Sequence, residues 1–298
     1  MLRKNSGKYV RNSILIAAAF TAGTMLASGA RAASISDGNS SLTINPADPT
    51  QPFISQWIVD GVDQYGGSPA GSENISLAAG AGTSPINAFS VTSSSFADGI
   101  ASLNYQGNGF TVGVKEILTG GNAGSGASGI NETITINNTG TVATALQGTP
   151  SPDSLADQPL TFQLSDLINL NVNGTPNNDT LTLSPGTGTN TADQTDPSGA
   201  HVNVTFTPTP DSLNTINPST STLGGLGPVT GDAAFLAQYS ITLDAGDSAI
   251  ISINENLTGG VTPPAPAIPL PNSASASLAT LTGLGLIAFA KRAKKAAR

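Results

Sequence analysis

The residue types that most often carry catalysis or bind metals are scarce in this sequence. It contains a single histidine, His201, and no cysteine. Thiolate zinc sites, iron–sulfur clusters and cysteine nucleophiles are therefore excluded. His201 opens an alternating segment, and no Gly-x-Ser-x-Gly motif accompanies it. We interpret it as a solvent-facing residue at a strand end rather than as a catalytic base.

The nineteen Asp and Glu residues are the remaining candidates for acid–base chemistry. Glycoside hydrolysis needs two carboxylates a few ångströms apart, which a sequence with so many acids does not exclude. Aromatic residues that could stack on sugars are few, and Trp57 is the only tryptophan. The Gly-rich run at 120–126 lacks the Lys-Ser/Thr of a phosphate-binding loop. We predict no catalytic residues and a non-enzymatic protein.

One stretch has the oxygen donors of a calcium loop. Asn169, Asn171 and Asn173 alternate in the spacing of the first half of such a loop. The twelfth position is Thr180, where a bidentate Glu belongs, and no acid precedes Asp179 in that window. The other interpretation is a turn whose asparagines adopt left-handed conformations. We predict no metal ligands and no cofactor, and calcium at this stretch stays open as the alternative.

The elements that would position these residues are strands. Short segments with β-branched or aromatic residues at every second position are bounded by Gly, Pro, Asn or Asp. They lie at 110–118, 132–137, 160–164, 180–183, 201–206, 238–243 and 248–254. We expect 166–170 to form a short helical turn, and 185–197 and 208–228 to be long connections. The pattern predicts an all-β fold, an antiparallel β-sandwich of jelly-roll or Ig-like type with long Gly/Thr/Asn-rich loops.

The charges are unevenly distributed along the chain. Ten of the eleven basic residues lie near the two ends, and Lys115 is the only one in segment 33–260. All nineteen acids lie in that segment, so its one lysine leaves it with a formal charge of −18. Such a charge repels nucleic acid and anionic lipid, and we predict neither as a partner of this domain.

Residues 1–32 have the three parts of a secretory signal peptide. Four basic residues precede an uncharged, mostly apolar run at 14–26. Ala30 and Ala32 then give the small-x-small pattern that signal peptidase cuts. The apolar run is shorter than the roughly 20 residues that span a bilayer. We predict an N-terminal signal helix, cleavage before Ala33 and an exported domain at 33–260.

The C-terminus has another three-part layout, with a Pro-rich linker at 261–271, an uncharged Ala/Leu/Gly-rich span at 272–290 and a basic tail at 291–298. Basic residues directly after an apolar span hold that end in the cytoplasm. We therefore predict a transmembrane helix at 272–290 in the inner membrane, with the domain outside. The residues of the tail that stop transfer are Lys291, Arg292, Lys294, Lys295 and Arg298.

The C-terminal layout resembles the PEP-CTERM sorting signal, whose motif often reads Val-Pro-Glu-Pro or Val-Pro-Leu-Pro. The matching residues are Ile268, Pro269, Leu270 and Pro271, with Leu270 where Glu is commonest. Segments such as 57–63 and 118–125 also resemble exported PEP-CTERM-bearing proteins of unknown function. The resemblance implies processing by an exosortase, transient anchoring and then a cell-surface or extracellular location, in contact with exopolysaccharide or biofilm. A sortase signal at 270–274 and a plain C-terminal anchor stay open.

We predict from these features a non-enzymatic cell-surface or extracellular-matrix protein that signal peptidase and an exosortase-like enzyme process. The alternative is a secreted carbohydrate-binding module or glycoside hydrolase acting on matrix polysaccharide. Clustering of Trp57, Tyr65, Tyr105 and paired acids in one concave site would favour that alternative.

Overall fold

The structure is a computed structural model that describes residues 32–65, 72–79, 82–140, 159–174, 178–184, 190–217, 222–224 and 227–259. The predicted signal peptide (except its last residue), the linker and sorting motif, the span at 272–290 and the basic tail lie outside the described residues. In the part of the chain that the structure describes, no helix is long and apolar enough to cross a membrane.

The described residues form nineteen β-strands and two short 3₁₀ turns, Ile86–Ala88 and Val172–Gly174. The strands are β1 Ala33–Asp37, β2 Ser40–Ile44, β3 Ile54–Val59, β4 Val62–Asp63, β5 Glu73–Ala79, β6 Thr83–Pro85, β7 Ser90–Ala97, β8 Ile100–Gln106, β9 Phe110–Gly120, β10 Ser128–Asn138, β11 Leu160–Asn169, β12 Thr180–Ser184, β13 Asn190–Thr195, β14 His201–Thr207, β15 Ser212–Asn217, β16 Thr222–Leu223, β17 Val229–Thr230, β18 Ala234–Leu243 and β19 Ser248–Thr258.

The strands form two antiparallel sheets. The ten-stranded sheet has the order β1-β2-β3-β5-β11-β18-β15-β16, with β4 beside β3 and β6 beside β5. The nine-stranded sheet has the order β17-β12-β13-β14-β19-β10-β9-β8-β7. The longest strands, β9, β10 and β19, lie side by side in the nine-stranded sheet, opposite the central strands of the other sheet.

Buried and solvent-facing residues alternate along the strands, because successive side chains point to opposite faces of a sheet. The buried set forms one core between the sheets. Edge-to-face ring pairs connect strands of different sheets, with centroids 5.4 Å apart for Phe110 and Phe162 and 6.1 Å apart for Phe206 and Phe235. Burying each such side chain contributes about 1.5–3 kcal/mol, so these contacts hold the sheets face to face.

The predicted all-β antiparallel sandwich is confirmed, and so is a strand at each of the seven predicted segments. The helical turn expected at 166–170 is wrong, because β11 continues to Asn169 between β5 and β18. The predicted long connections are also wrong, since they contain β13, β15 and β16. The inward positions of β13 are Asn190, Ala192 and Gln194, so the sequence shows no alternation of apolar residues there. This segment is a strand because it pairs with β12 and β14.

Candidate functional site

Five carboxylates face one another in the core of the sandwich, and each is at most 2% exposed. The ten-stranded sheet contributes Glu73 on β5 and Asp166 on β11, and the nine-stranded sheet contributes Glu116 on β9, Glu132 on β10 and Glu255 on β19. The four glutamates are all the glutamates of the 298-residue chain. Each acid occupies an inward-facing position of its strand, among Val, Ile, Leu or Phe.

The carboxylates of this core cluster are close together. Glu116 and Glu132 are direct partners in the register of β9 and β10. One oxygen each of Glu73, Glu132 and Asp166 lies within 4.8 Å of the other two, so the group spans both sheets. Both carboxylate oxygens of Glu116, Glu132 and Asp166 are buried and accept no hydrogen bond from an amide or a tyrosine hydroxyl. Glu132 is close enough to Glu73 and to Glu116 for each pair of carboxyl groups to share a proton in a hydrogen bond.

Two tyrosine hydroxyls border the core cluster. The Tyr65 hydroxyl lies 3.0 Å from Glu73 Oε2 and 3.0 Å from Glu255 Oε2. A hydroxyl has one proton, so Tyr65 donates to only one of these carboxylates at a time. The Tyr239 hydroxyl is buried and has no hydrogen-bond partner, and the charges of Asp166 and Glu132 raise the pKa of Tyr239 further above its burial-shifted value.

The electrostatics of the core cluster are unfavourable for five negative charges. Burial raises the pKa of Glu73 to about 7. Four further pKa values are raised well above their ordinary range, mainly by burial and in addition by repulsion from Glu73. They belong to Glu116, Glu132, Asp166 and Glu255. Removing a charge from water without giving it a partner costs on the order of several kcal/mol per charge. Protons or a bound cation must therefore neutralise most of this charge.

The aromatic residues that the sequence offered as a sugar platform do not form one. Trp57, Tyr65 and Tyr105 are fully buried in the core. The Trp57 Nε1–H donates to Ser128 Oγ at 3.1 Å, and the Tyr105 hydroxyl donates to the Pro46 carbonyl at 3.0 Å. Only Tyr65 contacts paired acids, and it does so inside the sandwich. The acids and aromatic rings thus build the interior rather than an open cleft.

The asparagine stretch considered for calcium forms a turn after β11. Asn173 has a φ of 62°, the left-handed conformation that asparagine tolerates. Asp179 closes the turn, because its Oδ2 accepts from the Val172 amide and from Gln194 Nε2, both at 2.9 Å. Asn173 thus has the conformation of the turn interpretation, whereas Asn169 is the last residue of β11.

A groove lies on the outer face of the nine-stranded sheet, over the ends of β9, β10 and β19. Its cavity measures about 470 Å³. Outward-facing amide and hydroxyl side chains line it, and their residues are Thr119, Asn131, Asn254, Asn256 and Thr258. At Gly129 an added Cβ would lie 3.1 Å from Asn256 Oδ1, so the missing side chain opens the floor of the groove. Asn131 donates a hydrogen bond to Asn254 across β10 and β19.

The face around the groove is largely uncharged and mixes polar with apolar side chains. Outward positions next to the groove include Asn203, Thr205, Thr133 and Ser252, and Ile117 and Ile250 face outward on the same sheet. His201 opens β14 beside Thr258, with Nε2 3.0 Å from Thr258 Oγ1, which agrees with the predicted solvent-facing strand end. The exposed Lys115 lies on the same face.

The loop that borders the groove, 121–127, is held by the turn after β3. Asp60 has a φ of 50° and accepts hydrogen bonds from the backbone amides of Gly124 and Gly126, at 2.6 and 2.9 Å. Asn39 Nδ2 donates to Asp60 Oδ2, the oxygen that also accepts from Gly126, at 2.8 Å. The ten-stranded sheet therefore fixes the rim of a groove that lies on the nine-stranded sheet.

Sequence reasoning missed both sites, although each has a signal in the sequence. The signal of the core cluster is an acid at one of the alternate strand positions that otherwise hold apolar residues, as in Val112-x-Val114-x-Glu116-x-Leu118. The signal of the groove is Asn and Thr at the other, outward-facing positions of the neighbouring strands. No single segment contains either site, because sheet pairing brings β9, β10 and β19 together from distant parts of the chain.

Comparison with known proteins gives structural likeness without a family. No protein family and no curated protein matches the sequence. A putative aldose 1-epimerase from Escherichia coli K12 matches with a TM-score of 0.46 and 10% identity, over 76% of this chain and 98% of that chain. A bacterial glucoamylase complexed with acarbose matches with a TM-score of 0.48 and 6% identity, over 78% of this chain and 32% of that chain. A polysaccharide lyase matches with a TM-score of 0.45 and 11% identity, over 76% and 34%.

The comparison corrects one prediction. The similar structures are mostly enzymes, so the prediction that the protein is not an enzyme is contradicted and is not kept. Several of them are named as carbohydrate enzymes, among them the aldose 1-epimerase, the polysaccharide lyase and two glycoside hydrolases of family GH92. At TM-scores below 0.5 this likeness assigns neither an activity nor a substrate to this chain.

Proposed function

We propose that the protein is an exported polysaccharide-binding protein of the cell surface, and that the outer face of its nine-stranded sheet binds the glycan. The observation that carries this proposal is the groove of amide and hydroxyl groups over β9, β10 and β19. Its volume of about 470 Å³ falls in the range of small-molecule sites, about 300–1,000 Å³.

The chemistry of the groove suits a neutral glycan. Sugar hydroxyls both donate and accept hydrogen bonds, and the side chains of Asn131, Asn256 and Thr258 do the same. The strongly acidic domain repels anionic polymers at a distance, so neutral chains are favoured over uronates or sulfated glycans. The glycine floor lets a sugar ring approach the backbone of β10. Without an exposed aromatic platform in the groove, we expect weak binding per site and a ligand with many repeats.

The terminal signals support a matching location. Signal peptidase would release the domain at Ala33, the span at 272–290 would hold it transiently in the inner membrane, and an exosortase-like enzyme would act near Pro271. The product would reach the cell surface or the extracellular matrix, where exopolysaccharide is the abundant polymer. This delivery route rests on the sequence resemblance, and the glycan proposal rests on the groove.

Glycan binding is tested with the full chain on an array of neutral and acidic polysaccharides, followed by affinity electrophoresis with the best neutral ligand. The double variant Asn131→Ala/Asn256→Ala removes two amides of the groove. Asn74→Ala is the matched control, because Asn74 lies on the outer face of the ten-stranded sheet.

We expect a neutral polysaccharide to retard the wild-type protein and the Asn74→Ala control equally, and to bind the double variant at least about fivefold more weakly, since two lost hydrogen bonds cost about 1–3 kcal/mol in total. Silence of the wild-type protein across the array, or equal retardation of all three proteins, would refute glycan binding in the groove.

The delivery route has its own test, the intact mass of the protein recovered from its native surface. A chain that begins at Ala33 and ends near Pro271 would support both processing steps. A retained Lys/Arg tail would contradict exosortase processing and point to a plain anchor.

A further inference from the structure

The starting point is that the core cluster has no positive partner in the protein. Among the described residues, Lys115 is the only Lys or Arg, and it is exposed on the outer face. The single histidine, His201, lies on that outer face as well. No side chain of the described residues can therefore compensate the five buried carboxylates as a cation would.

The arrangement of oxygens in the core cluster suits a metal ion. Glu73, Glu132 and Asp166 bring one oxygen each within 4.8 Å of the other two. Six oxygens of Glu116, Glu132 and Asp166 accept no hydrogen bond from an amide or a tyrosine hydroxyl, and Glu132 pairs only with the carboxyl groups of Glu73 and Glu116. An independent group also points to a ligand, because the Tyr239 hydroxyl is buried and has no hydrogen-bond partner, and Tyr239 on β18 is the diagonal neighbour of Asp166 on β11. Buried polar atoms are nearly always paired, so oxygens that only a shared proton or an ion can satisfy need an explanation.

We propose that the sandwich binds a divalent cation, Ca²⁺, in its core through Glu73, Glu132 and Asp166. Carboxylate and hydroxyl oxygens select hard cations, and no nitrogen or sulfur ligand is present in the core cluster. Ca²⁺ takes six to eight oxygens in irregular geometry, from carboxylates that bind through one or both oxygens, and three converging carboxylates provide the start of such a set. Mg²⁺ fits less well, because it keeps several waters and this site is closed to solvent.

The cation would cross-link the two layers of the fold. Glu73 and Asp166 belong to the ten-stranded sheet, and Glu132 belongs to β10 of the nine-stranded sheet. The flanking Asn131 and Thr133 face outward toward the groove, so Ca²⁺ would fix the strand that carries the groove from its inner side. The proposal does not depend on glycan binding, because the two sites lie on opposite faces of β10.

The test uses the full chain, unfolded in urea with chelator, freed of metal and refolded with or without CaCl₂ at pH 7.5. The bound metal is counted by inductively coupled plasma mass spectrometry, and the melting midpoint is measured. Glu132→Gln removes a ligand charge with little change in shape. Asp98→Asn is the control, because it removes an exposed acid from the turn between β7 and β8, where φ is 49° and asparagine is tolerated.

We expect about one Ca²⁺ per chain in the wild-type protein and in Asp98→Asn. At a hundredfold excess over Kd, Ca²⁺ should raise their melting midpoints by about 5–10 °C. Glu132→Gln should lose both the stoichiometric ion and the shift.

A core neutralised by protons alone gives a different pattern. The wild-type protein would then hold no stoichiometric Ca²⁺, its midpoint would not respond, and Glu132→Gln would melt at or above the wild-type temperature. That result overturns the proposal. If Glu132→Gln does not fold, the proposal is tested by the metal content of the wild-type protein and of Glu116→Gln. A refolded wild-type protein without a bound ion also overturns the proposal.

Discussion

The metal-free protein should lose stability as the pH rises from 5 to 8, which is the reverse of what surface carboxylates produce. A carboxyl whose pKa is raised in the folded state keeps a proton that the unfolded chain releases. The folded state therefore binds more protons between the two pKa values, and the free energy of unfolding falls across that interval. For Glu73 the interval runs from its ordinary 4.5 to about 7.

Glu73 alone sets a lower limit on the size of the effect. The difference of about 2.5 pH units corresponds to about 3.5 kcal/mol, at about 1.4 kcal/mol per unit. The other four acids of the core cluster also have raised pKa values, so they steepen the decline between pH 5 and 7 and continue it above pH 7. Because domains of this size are stable by about 5–15 kcal/mol, the metal-free protein should be marginal at pH 8.

The assay is urea denaturation of metal-free protein at pH 5, 6, 7 and 8, followed by the fluorescence of the single buried Trp57. Glu73→Gln should make the decline shallower by the contribution of one acid, whereas Asp98→Asn should leave it unchanged. Saturating Ca²⁺ should also flatten it, because the ion replaces the protons. A metal-free wild-type protein that is equally stable at pH 5 and 8, or a Glu73→Gln variant with the full decline, would refute this reasoning.

Two further predictions concern contacts around the groove and the core. Asp60→Ala should lower the free energy of unfolding by about 1–2 kcal/mol and weaken glycan retardation, because the amides of Gly124 and Gly126 lose their acceptor and the rim of the groove becomes less ordered. Urea denaturation measures the first effect and affinity electrophoresis the second. An unchanged denaturation midpoint would contradict this role of Asp60. Ser128→Ala should cost about 1–3 kcal/mol by leaving the buried Trp57 N–H without its acceptor, and a denaturation midpoint equal to that of the wild type would count against that contact.

The sequence predicts the layers of this fold better than its sites. Strands such as β9 and β10 could be found because Val, Ile and Leu recur at every second position. β13 could not, because its inward residues are polar or small and only pairing with β12 and β14 makes it a strand. The helical turn expected at 166–170 is wrong because Asp166 occupies an inward position of β11, and pairing with β5 and β18 makes this segment a strand.

The core cluster was predictable in part. Three acids occupy alternate positions that otherwise hold apolar residues in a recognisable strand, namely Glu116, Glu132 and Glu255. Their burial therefore follows from the alternation alone. Their mutual contact does not, because it depends on β10 pairing with β9 on one side and with β19 on the other. Segments 116–121 and 255–260 have similar sequences, Glu-Ile-Leu-Thr-Gly-Gly and Glu-Asn-Leu-Thr-Gly-Gly. Both β9 and β19 place the glutamate of this segment inward beside β10.

The central claim, that the outer face of the nine-stranded sheet binds a neutral glycan, is tested most directly by NMR titration of the side-chain amides. The account predicts that the best neutral oligosaccharide from the array shifts the amide signals of Asn131, Asn254 and Asn256, while that of Asn74 on the other sheet stays in place. Signals that do not move in the groove, or shifts confined to the ten-stranded sheet, would contradict it.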